Sequence, residues 1–349
     1  MLGYIVFFIF LFYSLSYKSD KKKILYVFIV ISTFSAIRYG IGMDYYTYWN
    51  FAQYGDEGVY RFELIPRYLC LFSSYWGTPV LFFLISSIII SIFFLLPIYK
   101  HSTSIIISTI FYICFPFFFM DHLGIIRQGM ACALVFYSIT MYYEKRIFQF
   151  LLIIVAFLCH RSALAALLIL LPWNFLNKQI LWFLFIGSFL IGDVIFQYFS
   201  NYILVSNMIF SDDFATYLDK NSLEEGQKIK YLIYFICLLF LLLYDKVCKK
   251  NDFFKYLLAL IIIGGCIYAL LIGISSSMAK RLCIFFFSTS IILIPELIKS
   301  MKISRKMFYI VMLSIFVVLL WVDSANKNAR IEDKGIYSAK YPYRTIFNK

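Results

Sequence analysis

Charge is scarce in this chain. Asp, Glu, Lys and Arg make up 15% of the 349 residues, while 62% are hydrophobic and 21% aromatic. Too little polar side chain is present to cover the outside of a soluble globule, which excludes that class. Paired cysteines are missing too. Cys70, Cys114, Cys132, Cys159, Cys237, Cys248, Cys266 and Cys283 include no CxxC pair, and none has a histidine at metal-ligand spacing. That excludes a disulfide framework and a zinc site; all but Cys248 lie in apolar runs, as small core or lipid-facing side chains. No P-loop, Gly-rich dinucleotide motif, DxD pair or GxSxG elbow occurs either. Asp193 and Glu296 stand isolated near the ends of apolar runs, unlike the mid-membrane relay of an ion-coupled transporter. Chemistry driven by ATP or a proton gradient is disfavoured, and no cofactor is expected.

What remains is long apolar stretches. They are continuous rather than alternating, so the fold class is an all-α polytopic integral membrane protein and not a β-barrel. About twelve transmembrane helices are expected, at 2–17, 24–38, 79–98, 103–120, 123–142, 147–160, 162–176, 179–198, 230–246, 254–273, 282–298 and 307–322. The stretch 62–77 is broken by Pro66 and Arg67 and reads as an interfacial or re-entrant helix. Met1 to Tyr17 has no basic residue before its apolar run and is followed by Lys18, Lys21, Lys22 and Lys23. It reads as a retained helix rather than a signal peptide. No domain boundary, low-complexity tract or repeat appears, so residues 1–349 are expected to form a single transmembrane domain.

The formal net charge is +13, but most lysines sit in the short loops 18–23, 99–102, 143–146, 177–178, 247–253 and 299–306. That pattern reads as cytoplasmic loops facing anionic lipid rather than as a nucleic-acid surface. The opposite, outer side then carries the longer segments 38–78, 199–229 and 323–349. Only Arg146 and Arg305 of the ten arginines fall inside. Arg38, Arg61, Arg67, Arg127, Arg161 and Arg281 lie at outer ends of apolar runs, where the positive-inside rule does not place them. A planar guanidinium there suits an anion, phosphate above all.

Four constellations carry that chemistry. Arg38-Tyr39-Gly40-Ile41-Gly42-Met43-Asp44-Tyr45-Tyr46-Thr47-Tyr48-Trp49 joins a glycine turn to an arginine, an acid and aromatic rings. An aromatic belt would explain the rings but not Arg38 or Asp44. In Asp121-His122-Leu123-Gly124-Ile125-Ile126-Arg127-Gln128, Asp121 is placed to cap a helix with Arg127 about a turn and a half inside it. An ion pair of Arg127 with Asp121 or Asp44 is the plain alternative. In Cys159-His160-Arg161-Ser162, His160 suits a general base for a hydroxyl, or a histidine satisfied within its turn. Ser275-Ser276-Ser277-Met278-Ala279-Lys280-Arg281 opens a helix with N–H groups and cations, an anion site or a serine cap with snorkelling side chains. Tyr341-Pro342-Tyr343-Arg344 is a fifth, weaker cluster, read either as folding back over a cavity mouth or as a disordered tail. The acids Asp56, Glu57, Glu63, Asp212 and Asp213 are scattered without diagnostic spacing.

The order Arg38…Gly42-x-Asp44…Tyr48, Ile126-Arg127-Gln128-x-x-Ala131, His160-x-Ser162-Ala163, Ala279-x-Arg281 and the closing Tyr341-Pro342-Tyr343-Arg344 resembles the EpsG-type branch of the Wzy polysaccharide polymerases, over nearly the whole chain. Met43 departs from the small residue expected there. The resemblance implies metal-independent glycosyl transfer at the periplasmic face of the bacterial inner membrane, on a fold similar to the GT-C architecture. Donor and acceptor would both be oligosaccharides on undecaprenyl diphosphate, drawn from among membrane lipids, as for O-antigen, capsule or exopolysaccharide. Arg127 and Arg281, with Lys280, would hold the donor diphosphate, and Arg38 the donor or acceptor phosphates. His160 or Asp44 would accept the hydroxyl proton. Arg161, Gln128, Tyr343 and Arg344 would line the substrate, and Tyr45, Tyr48 and Trp49 would stack on sugar. A chain-length regulator and a flippase are the implied partners. A flippase for the same lipid would instead line its cavity with cations through the membrane depth. An O-antigen ligase would carry a longer periplasmic domain, and an O-acyltransferase would need a cytoplasmic acyl-donor route.

Overall fold

The computed structural model describes residues 2–42, 44–142, 146–205, 220–249, 251–272, 275–334 and 343–347. These residues are mostly helical, with no strand among them beyond one isolated bridge between Arg38 and Thr345. In chain order the α-helices begin with α1 Leu2–Ser16, α2 Asp20–Ala36, α3 Tyr45–Tyr54, α4 Leu64–Tyr75, α5 Val80–His101, α6 Ile105–Cys114, α7 Phe119–Gly124, α8 Ile126–Thr140 and α9 Arg146–Cys159. They continue with α10 Lys178–Val205, α11 Lys220–Leu242, α12 Tyr244–Cys248, α13 Asp252–Leu271, α14 Ser276–Phe287, α15 Ser290–Ser300 and α16 Arg305–Lys334. Packing groups the chain into two compact units, Met1–Leu164 with Ile303–Lys349, and Ala165–Lys302, where the sequence suggests no boundary.

Among the described residues two helices are long and apolar enough to cross a membrane, α5 and α13, or three spans if the bent pair α14 and α15 counts as one. At 1.5 Å per residue α5 covers about 33 Å, enough for the hydrocarbon core. Shorter apolar helices include α1, α6 and α9. Their outer surfaces are apolar as well: Leu2, Ile9 and Phe10 on α1, and Ile147, Phe150 and Ile154 on α9, are exposed, while Gln149 is buried. A helix that turns its apolar side chains outward belongs in lipid.

Several expected spans are interrupted, each for a local reason. The run 103–120 stops as a helix at Cys114, because Phe115 precedes Pro116 and takes extended angles. The run 123–142 becomes the end of α7 and then α8, parted at Ile125. Residues 161–170 wind as a 3-10 helix rather than an α-helix. The run 282–298 bends by 69° between α14 and α15. There Ser288 Oγ donates to the Phe285 carbonyl, and Thr289 Oγ1 to those of Phe286 and Leu257. Such back-bonding hydroxyls bend helices. Glu296 is not isolated as the sequence suggests, since Lys249 Nζ pairs with its carboxylate. The stretch 62–77 contains α4, whose 12 residues rise about 18 Å, too short to span.

In the first unit α2 packs on α1 and α5, α5 on α8, and α8 on α9, while α4 lies against α3, α5 and α9. The link from α2 to α3 passes through Gly40 at φ +63° and Gly42 at φ +113°. A Cβ on Gly42 would stand 2.5 Å from the Leu123 carbonyl oxygen and 2.6 Å from Gly124 Cα. Residues 343–347 run back across this turn. Tyr39 N–H donates to the Arg344 carbonyl and Ile346 N–H to that of Ile37, both at 2.9 Å. The Tyr343 ring stacks 4.0 Å from Phe34 and meets Tyr4 at 5.5 Å, and its hydroxyl donates to the Phe34 carbonyl.

Gly42→Ala is expected to destabilise the protein by about 2 kcal/mol, because both the dihedral and the backbone contact oppose a side chain. A thermal midpoint in detergent should fall by several degrees. Gly187→Ala, inside α10 with nothing within 4 Å of its Cβ, should hold or raise it; an equal fall in the two would refute the account.

Candidate functional site

A chain of polar groups runs through the first unit, and Arg127 stands at its middle. The residue lies in the first turn of α8, because the helix restarts after Ile125 at φ −107°, ψ 69°. Asp121 does not cap this helix as the sequence suggests. It lies inside α7, and its carbonyl accepts the Ile125 N–H at 2.9 Å. Arg127 Nη1 donates to Glu63 Oε2 at 2.7 Å, and the guanidinium sits 4.4 Å from the centre of the Phe62 ring. The ion pair of Arg127 is made with Glu63, where the sequence suggests Asp121 or Asp44.

Glu63 immediately precedes α4 and accepts a second bond, from the Arg161 N–H to Oε1 at 3.1 Å. Burial disfavours its charge, but the Arg127 guanidinium and the Arg161 N–H outweigh this and hold its carboxyl below the usual range. The Tyr48 hydroxyl faces the same guanidinium and reaches Asp44 Oδ2 at 3.5 Å. Burial, aided by Asp44 and opposed by Arg127, pushes the Tyr48 phenol up to about 12.

His160 is buried beside this carboxylate. Its Nδ1 lies 2.6 Å from Ser162 Oγ and accepts the Ser162 N–H at 3.2 Å. An amide N–H only donates, so the hydrogen-bond pattern assigns Nδ1 as the acceptor and Nε2 as the protonated nitrogen of the neutral ring. Asp44, Tyr48, Glu63, Arg127, His160 and the Arg161 backbone are therefore gathered in one unit.

The other residues singled out in the sequence fall elsewhere. Arg38 is 2% exposed; its guanidinium donates to the carbonyls of Ser35 and Leu123 and lies 5.0 Å from the Phe83 ring centre. A cavity of about 10 Å³ beside it is lined by Ser35, Ser87, Ser91, Tyr112 and His122. Tyr45 is stacked between Phe83 at 4.7 Å and Trp49 at 5.7 Å, and Tyr48 stacks on Phe82 at 5.3 Å. Both tyrosines are fully buried, so protein rings cover the faces expected to meet sugar; Trp49 is partly exposed. Gln128 is buried, and the Arg161 residue is exposed. Tyr343 is fixed in the α1–α2 groove, with Arg344 exposed beside it, whereas Tyr341 and Pro342 lie outside the described residues. Arg67 binds the carbonyls of Tyr60 and Phe62, and Arg61 is exposed.

In the second unit Ser275 caps α14, its Oγ accepting the Met278 N–H at 3.3 Å. Lys280 and Arg281 follow on that helix, both partly exposed. Glu63 is the member of this cluster that sequence spacing missed. Its one signal was position: an acid directly ahead of a short apolar helix, in a segment rich in aromatic residues.

Helices that present apolar surface outward mark an integral membrane protein, and its first unit holds a partly covered cluster of cation, carboxylate and imidazole. The EpsG family matches residues 21–345, and the chain belongs to it, the family of Wzy-type polysaccharide polymerases. The protein is thus an enzyme of polysaccharide biosynthesis in general terms. No curated protein and no solved structure matches.

The depressed Glu63 carboxyl makes the ion pair's contribution complete above the ordinary carboxylate range. It is lost as pH falls through the folded-state value. The thermal midpoint of the solubilised protein should therefore drop on acidification below that range, and drop less in Glu63→Gln. The same acid sensitivity in both would remove the pair from the stability account.

Proposed function

We propose that the protein polymerises lipid-linked repeat units by glycosyl transfer at the periplasmic face of the bacterial inner membrane. A growing glycan on undecaprenyl diphosphate is the donor, and a single unit on the same carrier is the acceptor. An acceptor hydroxyl attacks the donor C1, and the C1–O bond to the diphosphate breaks with its electron pair leaving on phosphate. Departure of that anion is the step that most needs help. Arg127 supplies it with a fixed, partly desolvated positive charge, in the role that metal ions fill in other phosphate chemistry.

The observation that carries this reading is the pairing of Arg127 with Glu63 beside the Arg161 N–H and His160. A cation held by one carboxylate at a half-covered position can exchange that partner for an incoming anion. Family membership supplies the reaction class. Lys280 and Arg281, near the N-terminus of α14, are the phosphate-binding element of the second unit in this proposal. Arg38 holds the α2–α3 turn through backbone carbonyls. Trp49 and the exposed Arg161 and Arg344 side chains are available to the glycan. The exposed apolar faces of the helices suit the prenyl tails, so both substrates arrive from the membrane plane.

Translocation of the same lipid is the competing activity, and the two separate by product. Replacing the chain in its host by Arg127→Ala should abolish long glycan on a gel while single repeat units still reach their final acceptor. The expected loss of rate is on the order of 10²- to 10³-fold. Loss of even the single unit would favour translocation, polymer left on the carrier would favour ligation, and an unchanged ladder would sink the assignment.

A further inference from the structure

We infer that Glu63 is the group that takes the proton from the acceptor hydroxyl, and that capture of the donor diphosphate by Arg127 places it in that role. The inference rests on the reading above, in which Arg127 receives the donor diphosphate.

Without substrate, both carboxylate oxygens of Glu63 are engaged: Oε2 by Arg127 Nη1 at 2.7 Å and Oε1 by the Arg161 N–H at 3.1 Å. A carboxylate held this way is a weak base, and its carboxyl is accordingly kept acidic. A diphosphate offers the guanidinium more charge and a better matched pair of oxygens than one carboxylate does. On its arrival the Arg127 bond to Oε2 is the one exchanged. The Arg161 N–H belongs to the backbone and stays, so it keeps Glu63 at the site with Oε2 released.

The surroundings of that oxygen then change sign. It has lost a cation and gained a polyanion as neighbour, in a position where the Glu63 side chain is only 16% exposed. Both changes raise its affinity for a proton. The other two acceptors suggested by the sequence are less suited in this geometry. His160 accepts at Nδ1 from Ser162, which leaves a protonated Nε2 that donates rather than accepts. Asp44 faces the Tyr48 hydroxyl.

The step balances without a further reagent. The acceptor oxygen forms its bond to C1 as the C1–O bond to phosphate breaks; the lipid diphosphate leaves with the electron pair. The hydroxyl proton passes to Glu63 Oε2. As the diphosphate departs, Arg127 re-pairs with Glu63, and the proton is released to water or to the leaving phosphate. Substrate binding thus switches on the base, and an empty site holds it off.

The test uses the full chain in lipid nanodiscs, with undecaprenyl diphosphate as the binding probe, and polymer formed by membranes carrying the native lipid-linked substrates. In Glu63→Gln an internal carboxylate no longer competes for Arg127, so the probe should bind tighter, by on the order of tenfold. Polymerisation should fall roughly 10²- to 10⁴-fold, the usual worth of a positioned base. In Glu63→Ala, added sodium formate should restore part of the lost polymer. Wild-type polymerisation by Glu63→Gln, weaker probe binding in that variant, or no formate response in Glu63→Ala would each overturn the inference. Arg127→Ala separates the two layers. If it binds the probe as well as wild type, the diphosphate reading itself fails. If it loses the probe while Glu63→Gln still polymerises, only the base assignment fails.

Discussion

A guanidinium removed from water must find oxygen atoms or an aromatic face to replace its hydration, or its burial costs several kcal/mol. The first unit answers that demand twice. Arg38, closed off entirely, is met by two backbone carbonyls and the Phe83 ring. Arg127, only partly covered, is met by a carboxylate and the Phe62 ring. Other parts of the unit are arranged around these two solutions. The glycine turn lets Leu123 come close enough for its carbonyl to reach Arg38, the break at Ile125 puts Arg127 at a helix start, and α4 delivers Glu63.

The two solutions differ in a way that matters for chemistry. Carbonyls supplied by the backbone cannot step aside, so Arg38 is a permanent fastening. A carboxylate on a side chain can rotate, so Arg127 has a partner that another anion can replace. One arginine is structural and the other exchangeable because of what answers their charge, not because of any difference in residue type. In the second unit the Glu296 carboxylate is likewise paired with a side chain, that of Lys249.

The sequence disclosed those features that depend on neighbours in the chain. The apolar runs mark where helices form, Gly40 and Gly42 mark the turn, and the arginines at run ends mark where charge meets membrane. It disclosed less where a helix is broken from within. Pro116 acts through the residue before it, and the bend at Ser288 and Thr289 needs hydroxyls to reach carbonyls, one of them on another helix. Glu63 was illegible for a different reason. It meets Arg127 across 64 positions, and no local periodicity links an acid ahead of one helix to a cation opening another. Asp121 and Asp44 stood nearer or beside a stronger motif and drew the expectation instead. The tyrosines 45 and 48 were read by composition, which registers aromatic content but not which rings cover one another.

The strap at residues 343–347 pairs with the backbone on either side of Arg38, although the rest of its unit is mostly made before the intervening second unit. Elements near the start of a chain fold first during synthesis. The Ile37 carbonyl, the Tyr39 N–H and the groove between Tyr4 and Phe34 must therefore wait for partners while both units take shape. A ribosome that stalls early, or a protease that clips α16, leaves that seam open, with an aromatic slot and two unpaired backbone groups in view. The seam therefore closes only once residues 343–347 are in place.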